Sequence, residues 1–223
     1  VGFPKGMLGP IFFILYINDE LDVLSASEGK IFADDTKLVG KIIDVASHLM
    51  LQNDLNNIVH WSIKNNMELN GDKFEVLNYS LNKSLLLRNL PFTSAHLQYH
   101  LPDGTMIEQS QNVRDLGVLL SNDCSWSPHV HQMLASARKV AAWVLSVFRT
   151  RSPLLMITLY KTMVRSKLEY CCPVWDPAKI EDIQEIEKIQ RNFTRRINNC
   201  KNLDYWERLK KLRLMSLQRR RES

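Results

Sequence analysis

Glycine and proline are scarce, eight of each in 223 residues. That excludes a collagenous chain, a flexible linker and a sandwich of many short strands. Cysteine is scarce too. Cys124, Cys171, Cys172 and Cys200 form no Cys-x-x-Cys pair and two of them are adjacent, which suits neither a zinc knuckle nor a regular disulfide framework. A reduced, intracellular chain is the reading they support. Long apolar runs are missing: the seven residues Ile11 to Ile17 are the longest, against the roughly 20 that a membrane helix needs. No charged leader precedes them, so no membrane partner is expected. His129, His131 and Cys124 lack a fourth ligand at zinc spacing. The chain opens on Val1 rather than Met, which reads as a piece of a longer product.

What is present is ordinary in amount and uneven in placement. Hydrophobic residues make up 45% and charged residues 24%, so a packed core is expected rather than disorder. The net charge is +5, yet residues 1–120 hold 9 basic and 14 acidic side chains while residues 121–223 hold 20 and 10. A polyanion would be drawn to the second part.

Along the chain, three Gly and two Pro fall within Val1–Pro10, a loop suited to close backbone approach, with Pro10 fitting the first turn of a helix over Ile11–Leu24. Short strands are expected at Lys30–Ala33 and Thr36–Val39, with Asp34-Asp35 at the turn between them. A 3.6-residue period predicts a helix over Ile42–Asn66. Asn70-Gly71 predicts a hairpin within Met67–Leu77, residues 78–105 read as mixed strand and loop, and Asn112–Leu120 reads as one strand. After Ser127-Pro128 the period turns helical, over Val130–Phe148, Pro153–Tyr170, Ile180–Ile197 and Tyr205–Arg220. The fold class is α+β, with short antiparallel strands to about residue 125 and a helical region over 126–223.

The sharpest chemical feature is Phe32-Ala33-Asp34-Asp35. Two adjacent carboxylates repel unless a cation neutralises them, and oxygen ligands of this kind suit Mg²⁺ shared with phosphates. Taken alone, the dipeptide reads first as a simple polar turn, which favours Asp in any case. Likewise the glycines alone make a tight turn, Lys73 beside Asp72 reads as a solvated residue, and Leu116-Gly117 as a strand with a bulge. Arg191, Arg195 and Arg196 recur near one helical face, with Arg208, Lys210, Lys211 and Arg213 beyond; such a run serves as a solvated face or as a phosphate contact. Trp143, Trp175 and Trp206 read as core packing.

The order matters more than any one motif. The Gly/Pro loop, Tyr16-Ile-Asn-Asp19, Phe-Ala-Asp-Asp35 with Thr36-Lys-Leu38, Leu69-Asn-Gly-Asp-Lys73 and Leu116-Gly117 follow one another as in the C-terminal part of a reverse transcriptase. Trp61-Ser62, Leu168-Glu-Tyr170, Val174-Trp175, Gln190-Arg191 and Tyr205-Trp-Glu-Arg-Leu209 continue the series. Together they resemble the polymerase of a non-LTR, LINE-type (jockey-like) retrotransposon over nearly the whole chain. The resemblance implies an RNA template, a DNA primer, deoxynucleoside triphosphates and Mg²⁺, with the nucleus as the place of action of the parent element. It implies Asp34 as principal metal ligand and Asp35 as its neighbour. Pro4, Lys5, Gly6 and Gly9 fall in the nucleotide and template loop, Lys73 near the triphosphate, and Leu116-Gly117 in the primer grip. Residues 1–125 would be a truncated palm and 126–223 a helical thumb and connection segment.

The resemblance also exposes departures. A two-metal polymerase needs a further carboxylate from an earlier strand, and no Asp or Glu precedes Pro10. The loop Pro4-Lys-Gly-Met-Leu-Gly-Pro10 is one residue shorter than the family's and carries Lys5, donor-only, in place of a glutamine amide. Either a decayed copy or a tolerant variant reads this way. The expectation is a segment inactive by itself, or a non-catalytic nucleic-acid-binding module.

Overall fold

A computed structural model describes residues 9–79 and 98–222, and the chain divides into two compact units, Val1–Gln111 and Asn112–Ser223. Pro4, Lys5 and Gly6 therefore lie outside the described residues, as do residues 80–97 of the expected strand-and-loop stretch. The division precedes the composition shift near residue 125 because a hairpin over residues 112–121 packs with the helices that follow it. The charge asymmetry survives this move. Residues 1–111 hold 8 basic and 13 acidic side chains, and residues 112–223 hold 21 and 11.

In the first unit, α1 (Gly9–Ile17) begins with Pro10 in its first turn, where the missing N–H has no intrahelical acceptor to lose. The helix stops short of the expected Leu24. Asn18 and Asp19 favour a turn over continued helix, and Glu20–Val23 forms a separate 3₁₀ turn. β1 (Glu28–Phe32) and β2 (Asp35–Val39) form an antiparallel hairpin. α2 (Val45–Lys64) opens on a capping box, Asp44 accepting from the Ser47 N–H at 2.7 Å while the Ser47 hydroxyl accepts from Asp44 N–H at 3.0 Å.

Asn70-Gly71 does not turn a hairpin. The Asn70 side chain accepts from the Asp72 N–H at 3.1 Å and starts a 3₁₀ turn, Gly71–Lys73, the local competition that asparagine offers to strand pairing. β3 (Glu75–Val76) instead pairs in parallel with the distant β4 (Glu108–Gln109). Leu55, Tyr99 and Ile107 are the centre of a small core, with Leu38, Leu51, Phe74, Val76 and Leu101 packed around them.

In the second unit, Asn112–Leu120 proves to be two strands, β5 (Asn112–Asp115) and β6 (Val118–Ser121), reversed at Leu116-Gly117. α3 (Ser127–Val147) buries Val130, Met133, Leu134, Ala137, Ala141 and Val144 along one stripe. α4 runs as Pro153–Leu159, loosens into π-helical Tyr160–Arg165 and closes with Ser166–Glu169. A short α5 (Cys172–Trp175) places Trp175 in the core, and α6 spans Ile180–Thr194.

The last expected helix is two. α7 (Tyr205–Leu212) ends with Arg213 in the left-handed region at φ 51°, and Leu214 N–H returns to Leu209 O at 2.9 Å, a Schellman-type stop. Ser216 then caps α8 (Leu217–Arg221). The core of this unit runs continuously from Val118 to Leu217 and is far larger than that of the first. Among the described residues no helix is long and apolar enough to cross a membrane.

Candidate active site and nucleic-acid interface

The Asp-Asp pair sits at the end of the β1–β2 hairpin, one residue out of the expected register. The two-residue turn is Ala33-Asp34, and Asp35 is already in β2, paired with Phe32. Ala33 adopts φ 53°, a left-handed conformation that L-residues rarely take. Backbone strain is thus concentrated inside the motif. Strand alternation sorts the rest. Ile31, Thr36 and Leu38 are half-buried, whereas Glu28, Lys30, Phe32, Asp35, Lys37 and Val39 are exposed. Asp34 is exposed as well. Phe32 is 63% exposed beside the carboxylates. A Cβ at Gly29 would lie 2.4 Å from a Leu21 methyl and 2.6 Å from one of Leu24, so any side chain there would have to displace these two leucines.

Two buried carboxylates hold this hairpin, and neither was legible as a site residue. Asp54, fully buried in α2, accepts five hydrogen bonds from the segment leading into β1. Oδ1 takes the Ser25 N–H at 2.8 Å and hydroxyl at 2.7 Å; Oδ2 takes the Ala26 N–H at 2.9 Å and the Ser27 N–H and hydroxyl at 2.7 and 2.8 Å. Burial pushes this carboxyl up, but the hydrogen bonds from Ser25, Ala26 and Ser27 together outweigh it and hold the group well below the usual carboxylate range. Glu20, also fully buried, accepts from the Thr36 hydroxyl at 3.0 and 3.2 Å, next to Asp35 in β2. Burial raises its pKa, and the single Thr36 hydrogen bond offsets this only in part.

Lys73 is exposed at the end of the Gly71–Lys73 turn, and no hydrogen bond or ion pair joins it to Asp34 or Asp35 among the described residues. Gly9 is buried at the start of α1. The two aspartates have the oxygen chemistry that Mg²⁺ takes. No group of three or more His, Cys, Asp or Glu side chains able to hold a metal ion occurs among the described residues. Among the described residues the donor set therefore does not by itself fit a two-metal centre, which shares several carboxylates between two ions.

Leu116-Gly117 is the tip of the second hairpin, with φ 46° and 84°, the sign pattern of a type I′ turn. Tyr170 clasps it: its hydroxyl donates to Leu116 O at 2.9 Å, and a Cβ on Gly117 would meet Tyr170 Cε1 at 3.2 Å. The hairpin is tied to α3 through His129, whose Nδ1 accepts from the Leu119 N–H at 3.1 Å while the ring lies 5.2 Å from that of Trp175. Burial, with a smaller effect of the Arg114 charge, holds the His129 pKa below its ordinary value.

The cations divide into two kinds. Arg208 is buried and donates to Leu203 O at 2.7 Å, Thr194 Oγ1 at 3.3 Å and Arg191 O at 3.4 Å, closing the C-terminal end of α6. Arg220 and Arg221 pair with Glu169 and Asp176 at 2.5 and 2.7 Å. Arg191, Arg195 and Arg196 are exposed, but only Arg191 lies within α6, its guanidinium 4.7 Å from the Tyr205 ring centroid. Arg195 and Arg196 follow in the turn after the helix.

Beneath them lies a buried polar knot. Gln190 Nε2 donates to Tyr205 Oη at 2.7 Å and Met215 O at 3.0 Å, and its Oε1 accepts from Tyr160 Oη at 2.8 Å. Glu187 accepts from the Tyr205 hydroxyl and from the Leu217 and Gln218 N–H groups at 3.0 and 3.2 Å. The tryptophan expectation needs correcting. Trp175 is core, but Trp143 and Trp206 are exposed. Trp143 precedes the buried Val144 and Trp206 follows the buried Tyr205, and a helix turns adjacent side chains about 100° apart.

Aligned over 215 positions that cover 89% of it, the chain is 27% identical to a probable RNA-directed DNA polymerase from transposon X-element of Drosophila melanogaster. It spans about a fifth of that relative, 22% of its length. No protein-family model and no solved structure matches it. The similarity bears out the motif-based resemblance to a transposon-encoded reverse transcriptase.

Proposed function

We propose that this chain is a segment of a non-LTR retrotransposon's RNA-directed DNA polymerase, whose full reaction adds deoxynucleotides to a primer 3′-end on an RNA template with Mg²⁺. Residues 1–111 are read as a truncated palm, and residues 112–223 as a thumb and connection segment that meets the RNA–DNA hybrid through exposed cations such as Arg191, Arg195 and Arg196. The observation that carries the reading is the strained, solvent-facing hairpin that ends in Asp34 and Asp35, anchored from below by Asp54 and Glu20. Strained turns recur where side chains must be presented to a substrate. Leu116-Gly117 fits a second presented turn, and Lys73 a group that approaches the triphosphate.

Because Asp34 and Asp35 do not make a two-metal centre by themselves, no polymerisation step is assigned to this chain alone. Primer extension on an RNA template with Mg²⁺ should give no product above background. The same protein should bind an RNA–DNA hybrid, and that binding should survive Asp34→Ala, weaken with Arg195→Glu plus Arg196→Glu and fall steeply with salt. Mg²⁺-dependent products that vanish in Asp34→Ala would overturn the inactivity. Absence of hybrid binding at low salt would overturn the nucleic-acid role of the second unit.

A further inference from the structure

We propose that α7 carries a stacking site for an unpaired nucleic-acid strand, with Trp206 as the platform for a base and Lys210 and Arg213 as contacts for the adjoining phosphates. The site rests on the nucleic-acid reading above only for its class of ligand, since duplex contact needs no exposed indole.

Tyr205, Leu209 and Leu212 fix the buried face of α7, and the hydroxyl of Tyr205 is locked into the Gln190–Glu187 knot. Trp206, next in sequence, is thereby turned outward and is 64% exposed. Its ring lies 5.3 Å from that of Tyr205, on which Arg191 stacks. Lys210, four residues on, shares the helical face of Trp206. Arg213 follows one turn later, at the left-handed residue that ends the helix.

The charge of the sequence flanking this ring selects the partner, since the carboxylate against Tyr205, Glu187, is buried and taken up by the Tyr205 hydroxyl and the Leu217 and Gln218 N–H groups. Residues 188–221 contain twelve Lys and Arg against two acids, Asp204 and Glu207. Both acids are spent on the capping box of α7, where Asp204 accepts from the Glu207 N–H at 2.9 Å and Glu207 from the Asp204 N–H at 3.1 Å. Lys210, Arg213, Arg195 and Arg196 have no carboxylate partner among the described residues. A protein interface would want a contiguous apolar patch and few lysines at its centre. A lone indole among unpaired cations instead matches the way single strands are held, each base offering a π-face and each phosphate a charge. Neither contact reads the 2′-hydroxyl, so RNA and DNA strands are taken alike.

The test is fluorescence anisotropy of a labelled twelve-nucleotide single-stranded DNA of mixed sequence, titrated with the whole chain, beside an RNA–DNA hybrid. Trp206→Ala should weaken single-strand binding by about fivefold to a hundredfold, the range that loss of one base–aromatic stack gives. Trp206→Phe should recover most of the loss. The slope of log affinity against log salt should be unchanged in Trp206→Ala and shallower in Lys210→Glu, a separation that a purely structural role would not produce. Trp206→Ala binding within twofold of the parent, or losing hybrid and single strand equally, overturns the stacking site. Hybrid binding without single-strand binding also overturns it while leaving the wider reading intact; loss of both ligands in the parent chain removes both.

Discussion

Replacing Asp54 with Asn changes one atom of the side chain and removes the support of the hairpin that presents Asp34 and Asp35. The carboxylate takes three backbone N–H groups and two hydroxyls on its two oxygens. The serine hydroxyls can rotate to accept from an amide, but a backbone N–H cannot. If the amide nitrogen faces Ser25, one N–H is orphaned against it; if it faces Ala26 and Ser27, two are. An orphaned buried donor costs about 1–3 kcal/mol, and the remaining bonds fall from charge-assisted to neutral strength. The loss should be about 2–4 kcal/mol, which at a urea m-value of about 2 kcal/mol/M lowers the midpoint of the first unit by about 1–2 M.

The sign with pH is fixed by the depressed pKa. Asp54 contributes its full stability above the ordinary unfolded value near 3.9 and loses it as pH falls below. The gap between parent and variant should therefore be widest at neutral pH, begin to narrow below about pH 4 and vanish only as pH falls through the depressed folded value. Amide hydrogen exchange at residues 25–27, followed through the urea titration, measures this directly. Equal midpoints at pH 7, or unprotected amides at Ser25, Ala26 and Ser27 in the parent, would refute the reasoning.

Two further outcomes follow from the second hairpin. His129, held neutral by burial and by accepting the Leu119 N–H, has a folded pKa below its unfolded value near 6.5, so its contribution is present above that pH and lost as pH falls through the folded value; urea midpoints of the second unit should drop from pH 7 to 5 in the parent and not in His129→Gln. Gly117→Ala forces a Cβ into a φ of 84° and to 3.2 Å from Tyr170, which should cost about 1 kcal/mol or more, read as a lowered midpoint that Tyr170→Ala partly relieves.

The helices were legible because their apolar period is long and self-consistent, as in the stripe from Val130 to Val144. The misses lie where a local hydrogen bond overrides a pattern. Asn70-Gly71 has the composition of a hairpin turn, but the Asn70 side chain takes the Asp72 N–H and the next strand finds a parallel partner far along the chain. The break at Arg213 needed the Schellman bond to Leu209, although Ser216 offered a cap signal for a new helix. Asp34 and Asp35 were visible as a motif, yet the residues that hold them were not. Asp54 looks like any polar position of an amphipathic helix, and only its meeting with Ser25-Ala-Ser27, 27 to 29 residues away in sequence, reveals its role.

The basic tail of the sequence changes meaning in the same way. As a count, Arg191 to Arg221 is one run of positive charge. In the fold, Arg208 closes a helix end from the interior, and Arg220 and Arg221 are committed to Glu169 and Asp176, the latter pair leaving the Arg221 side chain only 4% exposed. A buried or paired guanidinium has already exchanged its water for protein acceptors and gains little from a phosphate. What remains for a polyanion among the described residues is the subset without a carboxylate partner, which includes Arg195, Arg196, Lys201, Lys210, Arg213 and Arg219, with Arg191 stacked on Tyr205 beside Trp206. Substituting Arg208 should therefore lower stability without a specific effect on the salt slope, whereas substituting Lys210 should lower the slope without unfolding the unit. The polar knot at Gln190 is what makes this sorting possible, because it holds α6, α7 and the start of α8 in one arrangement and so decides which side of each helix meets water.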